Sequence, residues 1–249
     1  MIEYISVVII AKNADLTIQK TLESLSSFVE VIVYLNNSTD RTEEIALIFP
    51  NVKIVKGEFT GFGPTKNQAA AYASNDWILS LDSDEIIPPA LRKELETLDL
   101  SDTEKVYALK MDDYFLGHKL KFRTEKKVRL YNRSKHSFDN LKVHENVMYN
   151  PGDKIVLKNP FKHMHINTVN QTLEKTMRYS DLAAKGNKTC FFIVVIGKPT
   201  FAFFQAYILR LGFLNGWVGF AVAISNANDR YYKYLKRYVN CKKTETDLS

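Results

Sequence analysis

The chain has 249 residues, with 34 lysines and arginines against 28 aspartates and glutamates, so its formal net charge is +6. Hydrophobic residues make up 45% of the sequence and charged residues 25%, which excludes a disordered chain and is typical of a folded protein. The length suits one large domain or two small ones, and the positive excess predicts an anionic partner of unspecified kind: nucleic acid, nucleotide or membrane.

The first hundred residues alternate between strand and helix patterns, which predicts a mostly parallel α/β sheet flanked by helices. Asp15 is expected to cap a first helix, and an Asp40-x-x-Glu43 box a second. Gly61–Pro64 is expected to break the chain before a helix over Lys66–Ala73. The four predicted strands are Ser6–Ile10, Val29–Leu35, Val52–Val55 and Trp77–Leu81.

After about residue 105 the pattern changes to strands with polar and aromatic loops, and then to helices from Val169 onward. Lys198–Pro199 and Arg210 interrupt the longest apolar stretch, so no conventional membrane span is expected. The predicted strands of this part are Val106–Met111, Val128–Tyr131 and Ile155–Leu157.

The two cysteines, Cys190 and Cys241, form no C-x-x-C pair and no zinc spacing. Neither a disulfide scaffold nor a structural zinc site is therefore expected, and the chain is predicted to be a reduced cytoplasmic protein.

Two carboxylates follow the fourth predicted strand, where ligands of open α/β sheets collect. Asp82 and Asp84 point to the same side if the chain is still extended, and such a pair suits Mg²⁺ or Mn²⁺. The open alternative is a polar loop, or an aspartate that caps the next helix.

Polar residues at the other strand ends and at a helix start are expected to converge on the same crevice. Lys66 is placed to contact a diphosphate, and Arg129 to clamp phosphate with its guanidinium fork, with a cross-strand ion pair as the alternative for Arg129. The full set predicted to bind a nucleotide-containing donor is Ala11, Asn13, Asn36, Asp40, Lys66, Asn67, Ser83 and Arg129.

Four segments together resemble the family 2 glycosyltransferases of the GT-A fold: Ser6–Asn13, Asn37–Thr42, Gly61–Asn67 and Asp76–Glu85. Three later segments are similar to the lipopolysaccharide core glycosyltransferase branch of that family: Lys127–Arg133, Val143–Glu145 and Tyr207–Gly216. The resemblance implies a nucleotide-sugar-binding half over residues 1–105, an acceptor-binding half over 106–180 and C-terminal helices over 181–249.

The resemblance also implies a chemistry: transfer of a sugar from a nucleotide-sugar donor, with inversion at the anomeric carbon and a metal at Asp82 and Asp84 that neutralises the leaving diphosphate. It places Glu145 as the general base, and His144 as a residue that shares this task or orients the acceptor. The alternative for Glu145 is a salt bridge to a nearby lysine. His163 and His165 are candidates for a further metal ligand or a diphosphate donor, against two ordinary hydrogen-bonded histidines.

One position departs from the family pattern. The family usually closes its second strand with an aspartate that accepts a hydrogen bond from uracil, whereas Leu35 stands here and Asn36 follows. An asparagine carbonyl accepts the same bond, so a UDP-sugar remains the favoured donor.

The C-terminal quarter combines apolar and basic character. No acidic residue occurs between Asp181 and Asp229, and a run of lysines, arginines and tyrosines follows. This favours helices that associate with an anionic membrane surface, on the inner face of the cell membrane, with a lipid-linked saccharide as acceptor; the alternative is packing on the sheet or in a dimer.

Three other functions remain open at this point. A polyprenyl-phosphate glycosyltransferase belongs to the same family, and a nucleotidyltransferase also places acidic metal ligands on an α/β sheet. The basic tail suits a nucleic-acid-binding protein, but no nucleic-acid motif accompanies it, so nucleic acid is not the expected partner.

Overall fold

The computed structural model describes residues 2–140, 145–185, 187 and 189–247, apart from the side chains of 122–124, 165 and 244–247. The chain divides into two compact units. The first unit comprises residues 1–112 and 124–164, and the second unit comprises residues 113–123 and 165–249.

The elements alternate along the first unit and become helical in the second. The strands are β1 (Ile2–Ala11), β2 (Phe28–Leu35), β3 (Val52–Lys56), β4 (Trp77–Asp82), β5 (Glu85–Ile86), β6 (Val106–Phe115), β7 (His118–Asn132) and β8 (Lys154–Ile166). The helices are α1 (Ile18–Ser24), α2 (Thr42–Ala46), α3 (Phe62–Ala70), α4 (Pro89–Glu96), α5 (Val169–Ala184), α6 (Phe192–Phe204) and α7 (Gly216–Asp247).

One sheet carries the strands in the order β3-β2-β1-β4-β7-β6-β8-β5. β1 is parallel to both β2 and β4, with Ala11 opposite Leu35 and Ile10 opposite Asp82, so three strands end at one edge. Beyond β4 the pairing changes, because β7 runs antiparallel to β4. The parallel half fits the predicted sheet, and the central residues of its three inner strands are buried: Val7–Ile9, Val31–Leu35 and Ile78–Leu79.

The four predicted N-terminal strands are confirmed, but the helix caps are wrong. α1 begins after Thr17, not after Asp15, and α2 begins after Arg41 with no capping side chain. Asp40 instead binds the backbone N–H of Asp15 and that of Thr42, which joins two loops. A side chain that can reach two loops is not restricted to the local cap that sequence spacing suggests.

The predicted break at Gly61–Pro64 is also wrong, because α3 begins at Phe62 and includes Pro64. Proline is tolerated in the first turn of a helix, where its missing N–H would have no partner in any case. Position 63 requires glycine for a different reason: a Cβ there would lie 2.0 Å from the carbonyl oxygen of Asp139.

The second unit contains α5, α6, α7 and the turn between β6 and β7. α7 packs against α5 through Lys236, whose Nζ lies 2.7 Å from Asp181 Oδ1, and through Arg237, which donates to the carbonyl of Ala183. The expectation of unpaired cysteines is wrong here, because Cys190 and Cys241 form a disulfide. The bond joins the segment before α6 to the last turns of α7, a proximity that spacing along the chain does not reveal.

One helical segment of the described chain, Phe192–Leu209, is long and apolar enough to cross a membrane by length and composition. The sequence-based expectation of no conventional membrane span stays a prediction, because length and composition alone do not show that a segment crosses a membrane. The helix continues through Pro199, which the sequence analysis treated as an interruption.

Candidate active site

Asp82, the last residue of β4, lies between two cations. Its Oδ1 is 3.0 Å from Nζ of Lys66 on α3, and its Oδ2 is 2.8 Å from a terminal nitrogen of Arg129 on β7. Burial on its own raises the pKa of this carboxyl, but Arg129 and Lys66 outweigh it and hold the pKa of Asp82 well below its usual value. Asp82 is therefore an ionised carboxylate with both oxygens in ion pairs.

Lys66 connects this carboxylate to the predicted base. Its side chain is 2% exposed, and its Nζ lies 2.8 Å from Oε1 of Glu145. The ammonium also lies 5.2 Å from the centre of the Phe138 ring, a cation–π contact. The lysine thus bridges two acidic groups that stand far apart in sequence.

Arg129 holds a second, deeper carboxylate. Its guanidinium pairs with Glu85, whose side chain has no exposed surface, and faces the Phe161 ring at 5.7 Å. Burial raises the pKa of Glu85 to about 7, with Asp82 and Asp84 adding to the rise and Arg129 opposing it. Glu85 also accepts a hydrogen bond from the backbone N–H of Asp82 at 3.0 Å, so the Arg129–Glu85 pair helps to fix the position of Asp82.

The turn between β4 and β5 is fixed from two sides. Thr21 of α1 donates to the carbonyl of Ser83 at 3.0 Å, and the N–H of Met164 donates to the carbonyl of Asp84 at 2.8 Å. Because Glu85 pairs with His163 in the β5–β8 ladder, the Asp84 side chain lies beside the imidazole. Asp84 Oδ2 is 3.5 Å from His163 Nε2.

Asp84 and His163 fit a divalent cation, since a carboxylate and an imidazole are accepted ligands and two protein ligands leave positions for phosphate oxygens. Asp82 fits less well as a direct ligand, because both its oxygens are held by cations. Within the described part of the chain, no group of three His, Cys, Asp or Glu residues converges on one point. The side chain of His165 lies outside the described atoms.

Asn13 and Asp40 tie together the loops that follow β1 and β2. Asn13, at φ 52°, accepts the N–H of Thr39 at 2.8 Å and donates its own N–H to Ser38. Burial raises the pKa of Asp40, but hydrogen bonds from Thr42 and Asp15 outweigh it, and the pKa stays below its usual value. Both side chains join these two loops, and their binding of a donor stays a prediction.

Asn36, the residue after β2, has a side-chain oxygen that no described residue hydrogen-bonds. Its backbone N–H donates to the carbonyl of Ala11 at 3.1 Å, which closes the ends of β1 and β2 together. Its side-chain oxygen is buried, and no described residue donates a hydrogen bond to it. A buried amide oxygen without a partner is uncommon in folded proteins, so it remains able to accept one.

Asn67 supports the segment that carries Glu145. Its amide makes two hydrogen bonds of 2.9 Å with the backbone of Phe138, which also bridges to Val147. Glu145 stands two residues before Val147, and His144 lies outside the described residues. The amide of Asn67 thus fixes the chain next to the predicted base.

Four of the predicted residues thus form one ion-paired group in the first unit: Lys66, Asp82, Glu145 and Arg129. Asp84 and His163 form a separate pair, with Asp84 two residues beyond Asp82 in the chain. The ion pair that the sequence left open for Arg129 is what the structure shows, and Glu145 also pairs with a lysine. Their roles in donor binding and catalysis stay predictions.

Glu85 was not predicted as a site residue, although it directly follows Asp82-x-Asp84. A carboxylate is rarely fully buried without a partner. A glutamate directly after an apolar strand was therefore a signal for a buried ion pair at that position. The aromatic partner Phe161 left no such signal, since it reaches the site only through long-range packing.

Residues 6–165 match the family described as Glycosyl transferase family 2, so the chain belongs to that family and is a glycosyltransferase. An uncharacterized glycosyltransferase of Rickettsia prowazekii (strain Madrid E) is 30% identical over 252 residues, which cover 93% of this chain and 86% of the relative. Another, from Rickettsia felis, is 30% identical over 262 residues that cover 94% of this chain and 89% of the relative.

Among solved structures, S. aureus TarS 1-349 in complex with UDP matches with a TM-score of 0.49 and 18% identity over 92% of this chain and 90% of TarS 1-349. Glucosyl-3-phosphoglycerate synthase from Mycobacterium tuberculosis, in complex with Mn²⁺, UDP and phosphoglyceric acid, matches with a TM-score of 0.34 and 27% identity over 45% of this chain and 43% of the synthase. The predicted fold class is confirmed: a mixed α/β sheet flanked by helices, similar to the GT-A glycosyltransferases, with helices at the C terminus.

Proposed function

We propose that the protein transfers a sugar from a nucleotide-sugar donor, with a UDP-sugar favoured, to a hydroxyl of a lipid-linked saccharide such as lipopolysaccharide core. The observation that carries the proposal is the ion-paired group of Asp82, Lys66 and Glu145 after β4 of a family 2 glycosyltransferase, with the Asp84–His163 pair next along the chain. This cluster offers a place for a leaving diphosphate beside a carboxylate that can accept a proton.

The residues have separate tasks in this reaction. Asp84 and His163 would hold Mg²⁺ or Mn²⁺, which supplies charge neutralisation for the diphosphate when bound. Glu145 accepts the proton of the acceptor hydroxyl while the hydroxyl oxygen bonds to the anomeric carbon and the bond from that carbon to the diphosphate oxygen breaks. A single displacement of this kind inverts the anomeric configuration.

Lys66 and Arg129 position these groups. The two cations hold Asp82 from opposite sides, and the contact of Lys66 with Glu145 orients the base relative to the end of β4. Asn36 is the candidate for reading the nucleotide base, because its buried oxygen can accept the N–H of uracil.

The protein is proposed to act on a lipid-linked acceptor at the cytoplasmic face of the cell membrane. The cysteines no longer support this location, because they form a disulfide. Support comes from the acid-free stretch between Asp181 and Asp229 and from the exposed apolar side chains of α6. A lipid phosphate is the acceptor to compare with a saccharide hydroxyl in any assay.

The test is a thermal-shift panel of nucleotide sugars with and without Mn²⁺ or Mg²⁺, repeated on Asp84→Ala and on Asp99→Ala, an exposed loop aspartate, as control. Ligand binding to the native state raises the unfolding temperature. We expect metal-dependent stabilisation by one sugar nucleotide that Asp84→Ala loses and Asp99→Ala keeps. The absence of a response to every nucleotide would contradict the proposal.

A further inference from the structure

The helices α6 and α7 form a hairpin in the second unit, and its tip is an exposed, irregular turn. A π-helical turn over Gln205–Leu209 leads from α6 into a short 3₁₀ segment at Gly212–Asn215, after which α7 begins. The two arms approach closely near the tip: a Cβ on Gly219 would lie 1.8 Å from the carbonyl of Gly212.

One face of α6 is apolar and open to solvent, while the opposite face packs. Val195 is 1% exposed, and Phe203 packs with Phe220 of α7 at 5.7 Å between ring centres. The exposed face repeats at helical spacing, with exposures from 46% to 72% at Ile193, Ile196, Phe201, Phe204 and Ile208.

The exposed apolar surface continues from the tip into α7. Trp217 is 61% exposed, and Phe220 and Ile224 follow on the same face at spacings of three and four residues. A soluble monomer rarely leaves contiguous apolar surface of this extent open, so a partner is expected to cover it.

The basic residues of the second unit lie beside this surface. The β6–β7 turn contacts the hairpin tip, because the N–H of Lys121 donates to Asn215 Oδ1 at 2.6 Å and the His118 ring lies 5.2 Å from that of Trp217. The side chains of Lys119, Lys121 and Arg210 are exposed there. Arg210 lies in the stretch between Asp181 and Asp229 that contains no acidic residue.

We propose that this exposed surface of the α6–α7 hairpin, with the basic rim formed by Lys119, Lys121 and Arg210, docks into an anionic lipid leaflet without crossing it. The apolar face enters the boundary of headgroups and acyl chains, and the rim meets the anionic headgroups. A second copy of the chain fits less well, because a two-fold interface would bring two basic rims together.

The docking surface specifies which part of the chain would contact the membrane, so this inference rests on the membrane association in the proposed function. Its evidence lies in the second unit alone, whereas the donor-binding evidence lies in the first. The two can therefore fail separately.

Tryptophan fluorescence offers a direct measurement, because the chain has two tryptophans and they differ in exposure. Trp77 is 7% exposed and Trp217 is 61% exposed. In a Trp77→Phe variant, vesicles of phosphatidylcholine with about 30% phosphatidylglycerol should shift the Trp217 emission to shorter wavelength, since anionic lipid attracts the basic rim. Pure phosphatidylcholine vesicles should give a weaker shift, and high salt should reduce the response to anionic vesicles.

Substitutions separate the apolar and the charged contributions in a vesicle flotation assay. Phe204→Asp should lower partitioning about tenfold or more, because a charge replaces an aromatic side chain that would lie among the acyl chains of the bilayer. Its matched control is Ile48→Asp, a 73% exposed position of the first unit, which should bind as the parent does. Arg210→Glu should lower partitioning about fivefold or more at low salt, with Lys20→Glu of the first unit as control.

Three results would overturn the docking proposal: unchanged vesicle binding in Phe204→Asp, retention of the protein in vesicles after alkaline extraction, or a stable dimer in solution that Phe204→Asp dissociates. The second result would indicate a spanning helix and the third a second copy. Thermal shift with nucleotide sugars, done without vesicles, keeps the proposed function separate. Docking is supported if Phe204→Asp loses vesicle binding but is still stabilised by the donor. If the protein binds vesicles but no donor stabilises it, only the proposed function is contradicted.

Discussion

In the first unit, Val7, Ile9 and Val31 have no exposed surface, while in the second unit Ile193 and Phe201 are more than half exposed. The polar groups differ in the opposite sense. The first unit buries Lys66, Glu85 and Arg129, and the second exposes Lys119, Lys121 and Arg210. A unit that buries charge is organised around internal chemistry, and a unit that exposes apolar surface is organised around an external partner.

The largest expected effect tests the chemical half of this comparison. Glu145→Gln should reduce kcat by about 10²- to 10⁴-fold, because a general base contributes that much, while donor binding survives. Steady-state kinetics with donor binding measured in parallel checks it, and Glu96→Gln, an exposed position, is the control. Retained turnover in Glu145→Gln would remove Glu145 as the base.

The next effect concerns the buried ion pair below Asp82. Arg129→Met leaves Glu85 buried without its cation, and we expect a loss of about 3–5 kcal/mol in the free energy of unfolding. Urea denaturation measures it. The double variant Arg129→Met/Glu85→Gln should recover part of the loss, because the uncompensated charge is gone; a loss below about 1 kcal/mol in the single variant would show that the pair is not a buried one.

The disulfide gives a comparable test in the second unit. Its sulfurs join residues 51 positions apart, and opening a loop of that length costs up to about 4 kcal/mol of stability in the chain-entropy description. Cys190→Ser/Cys241→Ser should lower the stability reported by Trp217 fluorescence and leave donor binding unchanged. Two free thiols in a titration of the purified protein would contradict the pairing.

The smallest effect is a pH dependence. An unfolded glutamate titrates near 4.5, whereas the pKa of buried Glu85 is about 7, so between these values the folded state keeps a proton that the unfolded state has released. The free energy of unfolding should therefore fall as pH rises from about 4.5 to about 7, by at most about 3 kcal/mol, and level off above. Asp82 has a lowered pKa, so its contribution to the free energy of unfolding is lost as the pH falls below about 4.

Denaturation across that pH range measures the slope. Glu85→Gln should flatten it between about pH 4.5 and 7, since the titrating group is absent. Glu96→Gln should keep the slope, and an equal slope in both variants would assign it to another group.

The sequence was informative where a local pattern decides the structure. Strand β4 and the two aspartates after it could be located because an apolar run ends at polar residues, and Lys66 could be placed near them from the order of the elements. The start of α3 at Phe62 could not, because a glycine and a proline suggested a break while tertiary packing against Asp139 favoured a helix.

Long-range pairing accounts for the other differences. β7 is 15 residues long, far beyond the predicted Val128–Tyr131, because it lies between β4 and β6 in the sheet although its first half is polar. Arg129 was expected to contact phosphate, but its guanidinium is buried and forms ion pairs with Asp82 and Glu85. The bond between Cys190 and Cys241 depends on two helices folding back on each other, which no spacing rule includes.

The disulfide has one further consequence for how the chain behaves when it is cut. A single cleavage anywhere between Cys190 and Cys241, including at the exposed turn around Arg210, would leave the two fragments covalently joined. The nicked protein would migrate as one species without reductant and as two with it. A protease that attacks this turn would therefore convert the hairpin into two linked helices without releasing either.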